Sequence, residues 1–75
     1  MYSPTPVQRE RIETNFTYHK PQEGQPERYE RIRDEAKRLA GILVTNCPES
    51  RELSLALTQL EDAVMWANAA IARNE

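Results

Sequence analysis

Apolar residues in the second half of the chain recur with the three-and-four spacing of paired α-helices. A first series falls at Tyr29, Ile32, Ala36, Leu39 and Leu43. A second series falls at Leu53, Leu57, Leu60, Val64, Ala67 and Ile71. This spacing predicts two amphipathic helices, each with one apolar seam. A short turn between two long helices makes them antiparallel, so residues 26–75 are expected to form a helical hairpin.

The ends of the two predicted helices carry start and stop signals. Pro26 suits the first helical position, where its missing N–H costs nothing, and Asn46 is a reasonable stop. The second helix begins either with Pro48 in its first turn or with Ser50 as its N-cap. Both alternatives remain open from the pattern.

Residues 1–25 are predicted to form an N-terminal arm with one short helix. Thr5 as N-cap and Pro6 at the first helical position favour a helix from Val7 to Phe16. The chain before Pro21 should be extended, because a residue that precedes proline avoids helical backbone. The predicted fold is therefore all-α, a single domain made of an antiparallel two-helix hairpin with a short N-terminal helix and arm.

The second hairpin helix carries more apolar surface than one partner helix can cover. Ala56, Ala63 and Ala70 repeat every seven residues and form a smooth ridge, which Met65 and Trp66 widen. A chain of 75 residues is near the lower limit at which a single hydrophobic core is stable. One cysteine excludes an internal disulfide, and one cysteine with one histidine predicts no metal site. We therefore predict a helical homo-oligomer with these five residues at the interface.

The net charge of −2 conceals an uneven distribution along the chain. Residues 26–47 carry five basic and four acidic groups, whereas residues 48–75 carry two basic and five acidic groups. Positive charge is thus concentrated on the first hairpin helix. Long nucleic acid would call for a stronger basic excess, but a small anionic ligand would not.

A short run in the arm combines an aromatic ring, an imidazole and a cation. Tyr18, His19 and Lys20 lie on the segment that the following proline keeps extended. In one interpretation Phe16 and Tyr18 pin the arm to the hairpin, and the other two side chains are solvated. In the other, the arm contacts a ligand, because an aromatic ring stacks on a base and a cation meets a phosphate.

The cations of the first hairpin helix also allow two interpretations. Arg33 and Lys37 are four residues apart and share a face, while Arg28 flanks the seam. They form either a solvated face balanced by acidic neighbours or an anion pocket completed by a second subunit. Symmetry would then bring two copies of each cation to one two-fold ligand with two phosphates.

Catalysis and membrane insertion find no support in the pattern. The adjacent carboxylates Glu61 and Asp62 point about 100° apart on a helix, and there is no glycine-rich phosphate loop. The longest apolar run, Ala63–Ala67, is far too short to span a bilayer. With no export signal and one cysteine, the sequence predicts a non-enzymatic protein of a reducing, cytoplasmic compartment, without cofactors.

Several strings of residues resemble a known family. They are FTYH at residues 16–19, QPERYERIR at residues 25–33, SRE at residues 50–52 and AVMWANAAIAR at residues 63–73. Over residues 16–75 they resemble the helical-hairpin domain of phage anti-CBASS sponge proteins, which is shared with anti-Thoeris sponges. The resemblance implies a homohexamer in the host bacterial cytoplasm. It also implies that the protein binds cyclic dinucleotides such as cGAMP and keeps them away from their effectors without cleaving them.

The resemblance also implies ligand-contacting residues. In the family, the dinucleotide pocket takes a tyrosine from the arm and a cation from the first hairpin helix. Tyr18, which His19 follows, matches the tyrosine, and Arg33 matches the cation. Lys37 or Arg28 are the alternative cations.

Some family members also bind cyclic trinucleotides at a separate site near the end of the second helix. Arg73 is the matching cation there, with Asn68 or Asn74 as its polar partner. Two rival functions remain from the residues: a helical interaction module that blocks a host protein through the Trp66 surface, and a nucleic-acid binder that uses the cations of the first hairpin helix.

Overall fold

The computed structural model describes residues 1–75 and contains three α-helices and no strand. Helix α1 spans Pro6–Asn15, α2 spans Gln25–Asn46 and α3 spans Arg51–Asn74. Helices α2 and α3 pack against each other along the predicted seams, which confirms the all-α hairpin. The molecule measures 49 × 38 × 13 Å, so its thickness is close to the diameter of a single helix.

Side-chain capping sets where α1 begins. The Thr5 hydroxyl accepts a hydrogen bond from the Gln8 backbone N–H at 3.1 Å, and the Gln8 side chain accepts one from the Thr5 N–H at 2.9 Å. This reciprocal capping box confirms Thr5 as the N-cap and Pro6 at the first helical position, one residue before the predicted Val7. The helix ends at Asn15, one residue before the predicted Phe16.

Helix α2 begins one residue earlier than predicted, at Gln25 rather than Pro26. Gly24 precedes it with a φ of 82°, a left-handed conformation that glycine adopts without steric cost. The predicted end at Asn46 is confirmed. The start of α3 is now settled, because the Ser50 hydroxyl accepts a hydrogen bond from the Leu53 N–H at 3.1 Å. Ser50 is the N-cap.

We expect Ser50→Ala to lower the free energy of unfolding by about 1 kcal/mol, because an uncapped helix leaves a backbone N–H without its partner. Urea denaturation followed by circular dichroism, at one fixed protein concentration, measures this change. Ser54→Ala is the matched control, since Ser54 is exposed within α3 and its side chain makes no hydrogen bond in the chain. An equal decrease in the free energy of unfolding of both variants would contradict the capping role of Ser50.

A single chain encloses almost no core. Only two of the 75 residues are buried, Leu53 and Gln25, and most seam residues are half-buried. Large apolar side chains remain exposed on the hairpin: Leu39, Ile42, Val44, Leu55, Met65 and Trp66. Exposed apolar surface on this scale is typical of proteins that associate.

No helix combines the length and the apolar character that a membrane crossing requires.

Candidate ligand-binding grooves

One flank of the hairpin forms an open groove of about 600 Å³, here called the cationic groove. Arg33 and Lys37 of α2 stand one turn apart along it, and neither makes an ion pair within the chain. Its other lining residues are Ala36, Ala40, Leu57, Leu60, Glu61, Val64 and Met65. Glu61 is the only carboxylate among them. The groove therefore offers two unpaired cations above an apolar floor.

The third predicted cation lies elsewhere. Arg28 is absent from the cationic groove and instead binds the carboxylate of Glu75 through both of its terminal nitrogens, with Nη1 donating to Oε2 at 2.8 Å. This contact and a hydrogen bond from Gln25 lower the pKa of Glu75 to about 2, and the same contact raises the pKa of Arg28. Both groups are thus charged at neutral pH. The contribution of the pair to stability is present above the ordinary carboxyl pKa of 4.5 and is lost as pH falls towards 2.

The aromatic residues of the arm do not pack on the hairpin. Phe16 is 85% exposed and Tyr18 is 83% exposed, so the interpretation in which they pin the arm is wrong. Half-buried His19 donates from Nε2 to the backbone oxygen of Thr14 at 2.6 Å, because a carbonyl oxygen can only accept. Lys20 is exposed. Tyr18 is therefore free for contact with another molecule, whereas His19 closes the end of α1.

A second groove, of about 540 Å³, lies between α1 and α3 and is here called the α1–α3 groove. It brings Arg73 and Asn74 together with Trp66 and with Arg11 of α1. Arg11 could not be predicted as a lining residue, because nothing in the sequence pattern fixes how α1 lies on the hairpin.

Asn68 does not line the α1–α3 groove. It is five residues before Arg73, and at about 100° per residue the two side chains point about 140° apart on α3. Its Oδ1 atom is buried and accepts no hydrogen bond within the chain. The three residues proposed for a trinucleotide therefore separate into two sets.

The opposite flank of the hairpin forms an apolar groove of about 510 Å³. Its lining residues are Ile32, Glu35, Ala36, Arg38, Leu39, Ile42, Leu60, Ala63, Val64 and Ala67. The five residues predicted for a subunit interface are divided among three surfaces. Ala63 lies in the apolar groove, Met65 in the cationic groove, and Trp66 and Ala70 in the α1–α3 groove. Ala56 lines none of the three and is half-buried.

No cluster of three or more histidine, cysteine, aspartate or glutamate side chains in the chain could hold a metal ion.

Comparison with known proteins identifies one family. The sequence matches the family described as "Acb2/Tad1, hairpin domain" over residues 8–72, which include most of all three helices. No curated protein and no solved structure matches the chain.

Proposed function

Because the chain belongs to the Acb2/Tad1 hairpin family of anti-CBASS and anti-Thoeris sponges, we propose that it sequesters cyclic dinucleotides and so blocks CBASS effectors. Family membership makes it a phage anti-defence protein of the sponge type. The ligand, the lack of cleavage, the hexameric assembly and action in the host cytoplasm are parts of the proposal.

The cationic groove is the observation that carries this proposal. A cyclic dinucleotide presents two phosphates and two flat bases. Arg33 and Lys37 are unpaired cations one turn apart, and guanidinium and ammonium groups bind phosphate through charge-assisted hydrogen bonds. The apolar floor beneath them suits the base and sugar faces.

The site is expected to be completed by a second copy of the chain. Tyr18 is exposed and lies outside the cationic groove of its own chain, so the ring can reach a ligand at a subunit boundary. A two-fold arrangement would present two tyrosines and two pairs of cations to a ligand that is itself two-fold. Each half of the ligand would then meet the same set of side chains.

Order-of-magnitude energies agree with tight binding. Stacking contributes about 1–3 kcal/mol per base, and a charge-assisted hydrogen bond contributes about 1.5–3 kcal/mol. Although these terms do not simply add, their partial realisation reaches the roughly −12 kcal/mol of a nanomolar complex. A sponge needs such affinity because it acts by stoichiometry and releases no product.

The α1–α3 groove is the proposed place for a cyclic trinucleotide. Arg11 and Arg73 supply positive charge there, next to the carboxylate of Glu10. Asn74 lines this groove together with Arg73 and is the proposed polar partner. Asn68 lies outside this groove, so it could contact a trinucleotide only from a different surface.

Calorimetric titration with a panel of cyclic di- and trinucleotides tests the function. We expect at least one cyclic dinucleotide to bind, and proteolysis of the loaded protein to release it intact. Absence of heat with the whole panel would favour the rival in which the protein blocks a host protein directly. Recovery of a linear product would contradict the sponge, and duplex binding that weakens steeply with salt would favour the nucleic-acid binder.

A further inference from the structure

Four polar residues meet at the open end of the hairpin, and we call them the clasp: Gln22, Gln25, Arg28 and Glu75. Arg28 donates to both carboxylate oxygens of Glu75. Gln25 Nε2 donates to Glu75 Oε1 at 3.2 Å, and Gln22 Nε2 donates to the backbone oxygen of Glu75 at 3.2 Å. Glu75 thus fastens the end of α3 both to the start of α2 and to the arm.

The clasp contains every side-chain hydrogen bond that joins distant parts of the sequence; all others join residues at most five positions apart. Gln25 is only 2% exposed, and its Oε1 accepts from the Gln22 N–H at 3.0 Å. The Gln25 N–H in turn donates to the Gln22 backbone oxygen at 3.1 Å. These bonds close the turn at Gly24 and give the arm a fixed point of attachment.

The segment that carries Tyr18 is therefore held at both ends. At one end His19 bonds to the backbone of α1 through Thr14, and at the other end Gln22 belongs to the clasp. Tyr18 itself is exposed and makes no hydrogen bond that would set its position. Where its ring lies relative to the hairpin depends on these two attachments.

We infer that Glu75 and Arg28 are positioning residues for the ligand, because the clasp holds the arm that presents Tyr18. Arg28 acts through Glu75 and does not contact phosphate. This inference rests on the proposed function for its ligand, and it changes the role of one of the three cations predicted for the pocket. A preorganised arm raises affinity because less conformational freedom is lost on binding.

Reversal of the ion pair tests this role. We expect Arg28→Glu and Glu75→Arg each to weaken binding of the preferred cyclic dinucleotide about tenfold, because the arm must then be ordered during binding. The double variant should recover most of the loss, since it restores the pair and also suits the dipoles of both helix ends. If Arg28 contacted phosphate, the double variant would bind as weakly as Arg28→Glu alone. Glu49→Arg is the control, because Glu49 is exposed and makes no ion pair.

Hydrogen–deuterium exchange without ligand gives an independent measurement. Peptides that cover residues 17–25 should exchange faster in each single reversal and return to the original rate in the double variant, with the central turns of α2 and α3 unchanged. If the original protein binds no cyclic nucleotide, the proposed function fails while this exchange still decides the role of the clasp. Unchanged exchange of the arm in both single reversals would overturn the inference.

Discussion

Ala63→Glu is expected to reduce the protein to species of lower mass, ultimately to the 8.7 kDa chain, with its helical content retained. Ala63 is exposed in the single chain, so a longer polar side chain costs the hairpin little. It lies in the apolar groove, where a second copy would bury an unpaired carboxylate against residues such as Leu39 and Ile42. Burial of an isolated charge is costly enough to prevent assembly. Light scattering measures the mass.

Thr58→Glu is the matched control, because Thr58 is exposed on the same helix and lines none of the three grooves. It adds the same charge and should leave the mass unchanged. Trp66→Ala tests the α1–α3 surface separately and should also lower the mass. A full-mass oligomer in both Ala63→Glu and Trp66→Ala would place the interface elsewhere, and a well-folded monomer of the original protein at micromolar concentration would remove the basis of a shared pocket.

The hairpin was predictable because the period of apolar residues determines which face of each helix packs. The helix ends were less certain, since they depend on local backbone and side-chain geometry. Gly24 in the left-handed region lets Gln25 begin α2 one residue early. The choice between Pro48 and Ser50 required the hydroxyl contact to the Leu53 N–H, which no spacing rule supplies.

The candidate site was predictable only where its residues share one helix. Arg33 and Lys37 are four apart, so their common groove follows from helical geometry. The partner of Arg28 did not follow, because Glu75 reaches it only through the register between α2 and α3. That Asn68 and Arg73 lie on different surfaces could have been predicted from the sequence, since residues five positions apart on a helix do not share a face.

Tyr18→Ala and Arg33→Ala are each expected to weaken cyclic-dinucleotide binding by more than tenfold while leaving the oligomer intact. In a two-fold pocket each substitution removes two contacts per ligand. Lost stacking costs about 1–3 kcal/mol per base, and a lost charge-assisted hydrogen bond costs about 1.5–3 kcal/mol. Calorimetric titration measures the affinity, and light scattering of the same samples measures the mass.

Two control variants separate the site from general effects of charge and aromatic content. Tyr2 is 92% exposed near the start of the arm. Arg31 is exposed on α2, lines none of the three grooves and forms no ion pair. Tyr2→Ala and Arg31→Ala should therefore bind the cyclic dinucleotide with the affinity of the original protein. Unchanged affinity in both Tyr18→Ala and Arg33→Ala would contradict the pocket as assigned here. If only Arg33→Ala lowers the affinity, the ligand binds in the cationic groove and the arm does not contact it, because stacking and phosphate binding are separate interactions.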